Sequence, residues 1–360
     1  MNFSKITSGI LFCWSLFLGN CIGQTISNAD KSEWEIFPII NYDTDVGFGF
    51  GAKGYLYNFA DFNESFDITI YNSTKGERWY QLYFSYPDIQ RRQGRKYNFA
   101  VDLVADYDKY INYLYYPTKH ELSFSQNSSK IKNEKYIREP IEIKAIISRA
   151  FTEKLIAEAG IQLSSITCYN FEKAGILQLK HPTSVEHISY LASFRFDSRE
   201  NFINPKQGIL LQLNNEYAEV INNLGNNFFK TEFLFQTYFS FFDPEIISAT
   251  RLRVQKIFGL KNEDYQNLIF LGGNNSLRGL PQSRYLSLSS ILVNQEIRFH
   301  IWKRISGIAG IDVGNSPSTP HWIINPVTGL RFNMDNFIVR FDVGFSKDNI
   351  GIYFNFGQLF

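Results

Sequence analysis

The sequence predicts an all-β fold: a closed antiparallel transmembrane β-barrel of about 16 strands, with a long loop folded into the lumen. Phe (34) and Tyr (21) far outnumber Met (2), and aromatic residues make up 17% of the 360 residues, a composition that favours strands. The mean hydropathy is slightly negative (−0.21), and no apolar run approaches the roughly 18 residues that a helical span requires. The third observation is the alternation of apolar and charged residues along the segments.

The alternation is clear between residues 337 and 345, where Phe and Val on one face oppose Arg340, Asp342 and Gly344 on the other. Residues 229–240 show the same pattern. Because residues two apart share a face of a strand, each segment has an aromatic face and a charged face. In a soluble sandwich the apolar face would point inward, whereas in a membrane barrel it meets lipid. The abundance of Phe, with Tyr and Trp near strand ends, favours the barrel.

The N-terminus has the pattern of a secretory signal peptide. Lys5 precedes an apolar stretch at 6–18, and Cys21-Ile22-Gly23 offers small residues for cleavage. The predicted organisation is therefore a signal peptide at 1–23, a short periplasmic lead-in at 24–41 and an outer-membrane barrel at 42–360. Cleavage would leave Cys168 as the remaining cysteine, so neither an internal disulfide nor a cysteine metal site is expected.

Strand-like segments follow one another from residue 45 to the end of the chain. An even number of strands closes a barrel with both termini at one end, and closure removes exposed sheet edges. The predicted strands are 45–57, 65–73, 77–86, 97–107, 110–125, 136–151, 155–169, 185–196, 208–219, 227–241, 246–258, 286–301, 306–314, 322–332, 336–345 and 351–360.

The longest connection, 259–285, contains a stretch that is neither strand nor helix. Gly272, Gly273, Gly279 and a following proline indicate a shaped loop. Arg278 lies among apolar neighbours, and a buried guanidinium requires a carboxylate partner. On these residues alone, a surface turn with a solvated arginine and a loop pinned in a cavity both remain open.

Residues 272–280 resemble the Val-Arg-Gly-Phe/Tyr signature of the bacterial surface antigen superfamily, the outer-membrane barrels that include the BamA and TamA assembly factors. Arg278 and Gly279 match, while Leu277 and Leu280 replace the valine and the aromatic residue. Further segments are similar in the same order. They are 47–51 in the first strand, a turn with Asp197, Arg199, Asn201, Pro205 and Gly208, the stretches 307–314 and 329–332, and a terminal insertion signal with Phe354, Phe356, Gly357 and Phe360.

The resemblance implies that the loop arginine is received by an aspartate on a lumen-facing strand. On 306–314, Asp312 shares its face with Gly310 and Gly314, which leave room for an incoming loop. We therefore expect Arg278 to pair with Asp312 through a charge-assisted, bidentate contact that locks the loop inside the barrel. The side chains expected around this pair are Glu296, Arg331, Arg340 and Asp342.

The resemblance also implies a function in inserting or translocating polypeptides, through a weak seam between 45–57 and 351–360. Glycines in both segments pack poorly within strands. The alternatives are a passive channel or membrane anchor and, less favoured, a lumenal lipid hydrolase using His300. No cofactor, metal or catalytic residue is assigned.

The predicted partners are outer-membrane lipids and an unfolded polypeptide client. The lead-in is too short for a polypeptide-transport-associated (POTRA) domain, so a separate periplasmic partner is also expected. Nucleic acid is excluded, because the formal charge is only +1 and no basic tract dominates. The expected location is the outer membrane of a Gram-negative-type bacterium.

Overall fold

The structure is a computed structural model, and it describes residues 32–117, 133–172, 177, 183–242, 246–260, 264–334, 337–347 and 349–360. The predicted signal peptide lies outside these residues. No helix within these ranges is long and apolar enough to cross a membrane.

Sixteen antiparallel strands close into a barrel, which confirms the predicted fold class. Two further short strands, β12 and β13, pair with each other inside the connection between β11 and β14. The strands are β1 (Glu33–Asp43), β2 (Gly47–Tyr57), β3 (Ser65–Ser73), β4 (Glu77–Tyr86), β5 (Tyr97–Tyr115), β6 (Glu134–Ala150), β7 (Leu155–Tyr169), β8 (Ser184–Asp197), β9 (Gly208–Val220), β10 (Phe228–Phe241), β11 (Ile246–Phe258), β12 (Ile269–Leu271), β13 (Tyr285–Ser287), β14 (Ser289–Trp302), β15 (Ile305–Asn315), β16 (Ile323–Asn333), β17 (Ile338–Phe345) and β18 (Ile350–Phe356).

The predicted strand count is right because two errors cancel. The lead-in was predicted to extend to residue 41, but β1 already begins at Glu33. Pro38 in the middle of β1 argues against a strand in sequence, and it is tolerated because β1 borders the seam. Conversely, the predicted strands 97–107 and 110–125 fall, as far as residue 115, in one strand, β5, whose register with β6 is interrupted after Tyr110. Residues 118–125 of that prediction lie outside the described residues.

Burial along the strands is the reverse of that in a soluble sheet. On β3, Asp67 and Thr69 point inward and are buried, whereas Ile68 and Ile70 are about half exposed on the outer face (51% and 54%). Large apolar side chains are exposed in this way on strands around the barrel. Polar groups buried inside and apolar groups exposed outside are what a barrel surrounded by lipid requires.

The barrel closes between β1 and β18, and this junction, the seam, is short. Only Tyr42–Phe354 and Asp43–Tyr353 are in register there, whereas β16 and β17, for example, pair from Val327–Gly344 to Asn333–Ile338. The sequence predicted that 45–57 forms the seam with 351–360, but 45–57 corresponds to β2, which lies between β1 and β3. The predicted first strand is therefore corrected to β1.

Candidate functional site

The connection between β11 and β14 runs from 259 to 288, and its described residues from 264 onward cross the interior of the barrel. On one side the hydroxyl of Ser283 donates a hydrogen bond to the main-chain oxygen of Leu114 on β5. On the other side Arg278 binds Asp312 on β15. Because β5 and β15 are eight positions apart in the closed sixteen-strand order, these contacts lie on opposite walls. The loop therefore spans the lumen from wall to wall.

Arg278 is completely buried and is held by three carboxylates. Its Nε and Nη2 donate to the two oxygens of Asp312 at 2.9 and 2.8 Å, which is a bidentate contact. Its Nη1 donates to Glu296 (2.8 Å) and to Asp342 (2.9 Å). Hydrogen bonds of this charge-assisted kind are the strong ones, and the planar guanidinium fork suits them.

The main chain of Arg278 is fixed as well. Its N–H donates to Asp312 Oδ2 at 3.0 Å, and its carbonyl accepts from the Asn325 amide on β16 at 2.8 Å. Burial lowers the pKa of Arg278, but Asp312 and the other facing carboxylates raise it further, so its pKa lies well above the ordinary value. The guanidinium therefore remains charged at every accessible pH.

Further arginines complete the group. Arg331 binds Asp342 and approaches Glu296 at 3.6 Å, and Arg298 Nε donates to Glu296 at 3.1 Å. Arg340 lies 3.6 Å from Asp342. Glu296 and Asp342 therefore each contact three arginines, whereas Asp312 binds Arg278 and accepts from the side-chain amide of Asn294 at 2.6 Å. Side chains from the loop, β14, β15, β16 and β17 form one network, which we call the lock: Arg278, Glu296, Arg298, Asp312, Arg331, Arg340 and Asp342.

Glycines allow the loop backbone to lie against the wall. Gly279 has a φ of 94°, and a Cβ on Gly344 of β17 would lie 2.5 Å from the carbonyl carbon of Arg278. Of the two glycines expected to make room, Gly314 faces Leu277, where a Cβ would lie 2.9 Å from its Cδ1. At the second, Gly310, the nearest atoms to an added Cβ are instead main-chain atoms of β14.

The two leucines that depart from the family signature fill an apolar site. Leu277 and Leu280 are buried in one cluster with Leu271 and Leu292. The preceding glycines, with φ of 136° at Gly272 and 79° at Gly273, shape the turn. Leucine at positions 277 and 280 therefore keeps apolar side chains buried beside Arg278.

The predicted turn between β8 and β9 is stabilised from within. Arg199 Nε and Nη2 bind the oxygens of Asp197 at 2.9 and 2.7 Å. Asn201 Oδ1 accepts the main-chain N–H groups of the residues two and three positions later. Pro205 precedes Gly208, whose φ is 110° and whose added Cβ would lie 2.6 Å from Arg199 Cα.

The predicted insertion signal is divided between two faces. Phe354 and Phe356 point outward from β18 and are half buried, but Gly357 turns the chain and Phe360 lies buried inside the barrel. The sequence also did not single out Gln358, which links Arg331 to the β8–β9 turn, or Tyr353, whose hydroxyl accepts from Gly279 N at 2.9 Å. Tyr353 lies within β18 and Gln358 follows it, and no local signal marks either residue.

His300, the residue assigned to the hydrolase alternative, is exposed at the end of β14. Within the described ranges, no group of three or more His, Cys, Asp or Glu side chains is arranged to hold a metal ion.

The chain matches one protein family in sequence and several solved barrel structures in fold. Residues 58–290 match the Omp85 superfamily domain. BamA from Haemophilus ducreyi lacking POTRA domains 1–3 is similar at 12% identity with a TM-score of 0.66, over 92% of this chain and 70% of that one. CdiB from Escherichia coli gives 12% identity and a TM-score of 0.60, over 92% and 68%.

CdiB from Acinetobacter baumannii gives 11% identity and a TM-score of 0.58, over 91% of this chain and 59% of that one. No curated protein matches the chain. At these identities, the similar structures show the fold alone.

Proposed function

The chain belongs to the Omp85 superfamily, and we propose that it inserts polypeptides into the outer membrane, or moves them across it, through the seam between β1 and β18. The observation that carries this proposal is the limited pairing at the seam, where β1 and β18 are in register at two residue pairs, Tyr42–Phe354 and Asp43–Tyr353. A strand edge presents main-chain donors and acceptors to an incoming extended segment. An outer-membrane location accords with the family and with the exposed apolar belt.

The lock makes the two sides of the seam unequal. Arg278 ties the loop to β14, β15 and β17, and Gly279 binds Tyr353 on β18. The wall on the β18 side is therefore cross-linked by buried ion pairs. In contrast, β1 is in register with β2 along its whole length and with β18 only at its end. We propose that opening moves β1 while the locked wall stays in place.

The remaining assignments complete the proposal. Residues 1–23 act as a cleaved signal peptide, and the client is an unfolded polypeptide. A separate periplasmic protein delivers the client, and outer-membrane lipids surround the apolar belt.

Cross-linking the seam tests the proposal. Tyr42→Cys with Phe354→Cys joins β1 to β18 on the outer face, in a Cys168→Ser background. Val343→Cys with Ile352→Cys, also in register, joins β17 to β18 and is the matched control. The assay is assembly of urea-unfolded outer-membrane barrel proteins in liposomes that contain the purified protein. We expect oxidation to abolish assembly in the seam variant and to spare the control.

Full activity of the oxidised seam variant would refute the proposed entry route. Conductance in planar bilayers separates the rival function. A large steady pore without any assembly activity would identify a passive channel, whereas a loop that crosses the lumen predicts a mostly closed one.

A further inference from the structure

The outer face of the barrel carries two adjacent cations beside the turn between β3 and β4. Arg78 on β4 and Lys109 on β5 are directly opposite each other in the antiparallel register, so they share a face of the sheet. That face is the outer one, because Trp79 is buried inside whereas Arg78 and Tyr80 on either side of it are exposed. Like charges at directly opposed positions destabilise a sheet. We call Arg78 and Lys109 the cation pair.

The two cations of the pair differ in their surroundings. Lys109 Nζ lies 3.3 Å from Glu139 Oε2 on β6. The hydroxyls of Tyr107 and Tyr169 donate to the two oxygens of Glu139 at 2.7 and 2.6 Å, which fixes the carboxylate that Lys109 contacts. Among the described residues, by contrast, none forms an ion pair or a hydrogen bond with the Arg78 side chain. One positive charge on the outer face is therefore left uncompensated.

The cation pair lies at the boundary of the apolar belt. Tyr80 and Tyr107, each one outward position closer to the middle of its strand, are stacked with ring centres 5.6 Å apart. The hydroxyl of Tyr80 donates to Asn72 Oδ1 at 3.1 Å, and Asn72 on β3 is directly opposite Arg78. Tyrosines whose rings meet apolar surface and whose hydroxyls meet polar groups mark the level at which lipid headgroups join acyl chains. The cation pair is therefore at headgroup level.

A shallow apolar groove lies next to the cation pair on the outer face. Ala105 on β5, two outward positions from Lys109, is opposed by Leu82 on β4 and by Ile143 on β6. Leu82 and Ile143 are about half exposed, as is Leu103, the next outward residue of β5. A methyl side chain among these larger ones leaves a depression in the surface. We call this depression, at Ala105 between Leu82 and Ile143, the groove.

The cation pair is near the end of the barrel that lies opposite to the chain termini. β1 begins and β18 ends at one end of the barrel, and neighbouring strands run in opposite directions, so the turn between β3 and β4 lies at the other end. In the proposed organisation the lead-in before β1 is periplasmic. The cation pair and the groove therefore face the outer leaflet of the membrane.

We propose that the cation pair binds a phosphate group of an outer-leaflet lipid, and that an acyl chain of the same molecule lies in the groove. The oxygens of one phosphate accept charge-assisted hydrogen bonds from a guanidinium and an ammonium group together. The phosphate also supplies the negative charge that two opposed cations require. The site is on the outer face and is independent of the function proposed above. Its assignment to the outer leaflet rests on the proposed orientation.

Titration of the purified, folded protein with a phosphorylated lipid tests the site. The probe is diphosphoryl lipid A in dodecylmaltoside, and bound copies are counted by native mass spectrometry. We expect Arg78→Gln and Lys109→Gln each to weaken binding of the first copy by about tenfold, because each removes a charge-assisted hydrogen bond. Lys256→Gln is the matched control, since Lys256 is also exposed near this end but opposes Thr231 and Ser289. A loss as large in the control would overturn the site.

Three further measurements separate the contributions to binding. Lipid A from which both phosphates have been removed keeps its acyl chains and should bind weakly, and binding equal to that of the diphosphoryl form would refute phosphate recognition. Inorganic phosphate should not displace the lipid, and displacement at equal concentration would identify a free-anion site and overturn the lipid assignment. Ala105→Leu fills the groove and should weaken lipid binding several-fold, whereas unchanged binding would refute the seat for the acyl chain. The fast-migrating band on unheated gels shows that each variant is folded.

Discussion

Arg278 and Asp312 lie 34 residues apart in sequence and share three hydrogen bonds, one main-chain and two side-chain, with both side chains fully buried. Such a pair contributes little if each ion is compared with its hydrated state, because burial costs both ions their hydration. Its effect appears when one partner is removed, since the other charge then stays buried without compensation. The pair therefore holds the loop in one position, and either residue depends on the other to remain there.

Removing the loop arginine should destabilise the barrel strongly. Arg278→Ala leaves Asp312, Glu296 and Asp342 short of one cation, which costs about 3–5 kcal/mol of unfolding free energy. Arg278→Lys should recover only part of this, because an ammonium cannot make the bidentate contact. The measurement is the temperature at which the folded, fast-migrating band is lost on gels. Arg284→Ala, in the same loop but held by stacking on Tyr116 and Tyr285, is the control. Equal midpoints for Arg278→Ala and the control would contradict the lock.

A methyl group on β17 should displace the loop. The Cβ of Gly344→Ala would lie 2.5 Å from the carbonyl carbon of Arg278, so either the loop or the strand must shift, at a cost of about 1–3 kcal/mol. We expect faster trypsin cleavage within 259–288. Gly54→Ala on β2, where a Cβ meets nothing within 4 Å, should retain native protection. Identical cleavage rates in the two variants would show that the loop does not depend on this close approach.

The turn between β1 and β2 should weaken as pH rises. Burial, with repulsion from Asp43, raises the pKa of Asp45 to about 8. The main-chain N–H of Gln282, which donates to Asp45, and the positive charge of Lys75 oppose this shift. A raised pKa in the folded state means that stability is greatest below about pH 4 and falls as pH rises through about 8. In Asp45→Asn, the unfolding temperature should differ less between about pH 5 and about pH 9 than it does in the unsubstituted protein. A pH profile that is unchanged in the variant would exclude Asp45 as its source.

The β8–β9 turn should depend on its internal ion pair. Arg199→Ala leaves the buried Asp197 carboxylate without its bidentate partner, and we expect a loss of roughly 1–3 kcal/mol in unfolding free energy. Lys154→Ala, an exposed residue of another turn at the same end of the barrel, should change stability by less than about 0.5 kcal/mol. Denaturant titration of the refolded protein distinguishes them, and a Lys154→Ala effect as large as that of Arg199→Ala would contradict the assignment.

Periodic features were readable from sequence because each depends on near neighbours in the chain. Alternation along 337–345 predicted which face of β17 meets lipid, and the same rule aimed Asp312 inward. The Arg-Gly pair in a glycine-rich loop predicted a shaped segment. These inferences need only that residues two apart share a face of a strand.

Tertiary structure decided everything that depends on distant segments meeting. Asp342, 64 residues from Arg278, was expected near the pair, but its hydrogen bond to Arg278 depends on β17 lying beside the loop. Glu33–Asp43 becomes the first strand despite Pro38, because the barrel needs a neighbour for β2 and the proline faces the short seam. The inward turn at Gly357 depends on a positive φ that glycine permits but does not require. The sequence by itself determined the barrel and the inward aim of Asp312, and only closure of the barrel decided the seam, the contacts made within the lock and the burial of residues 358–360.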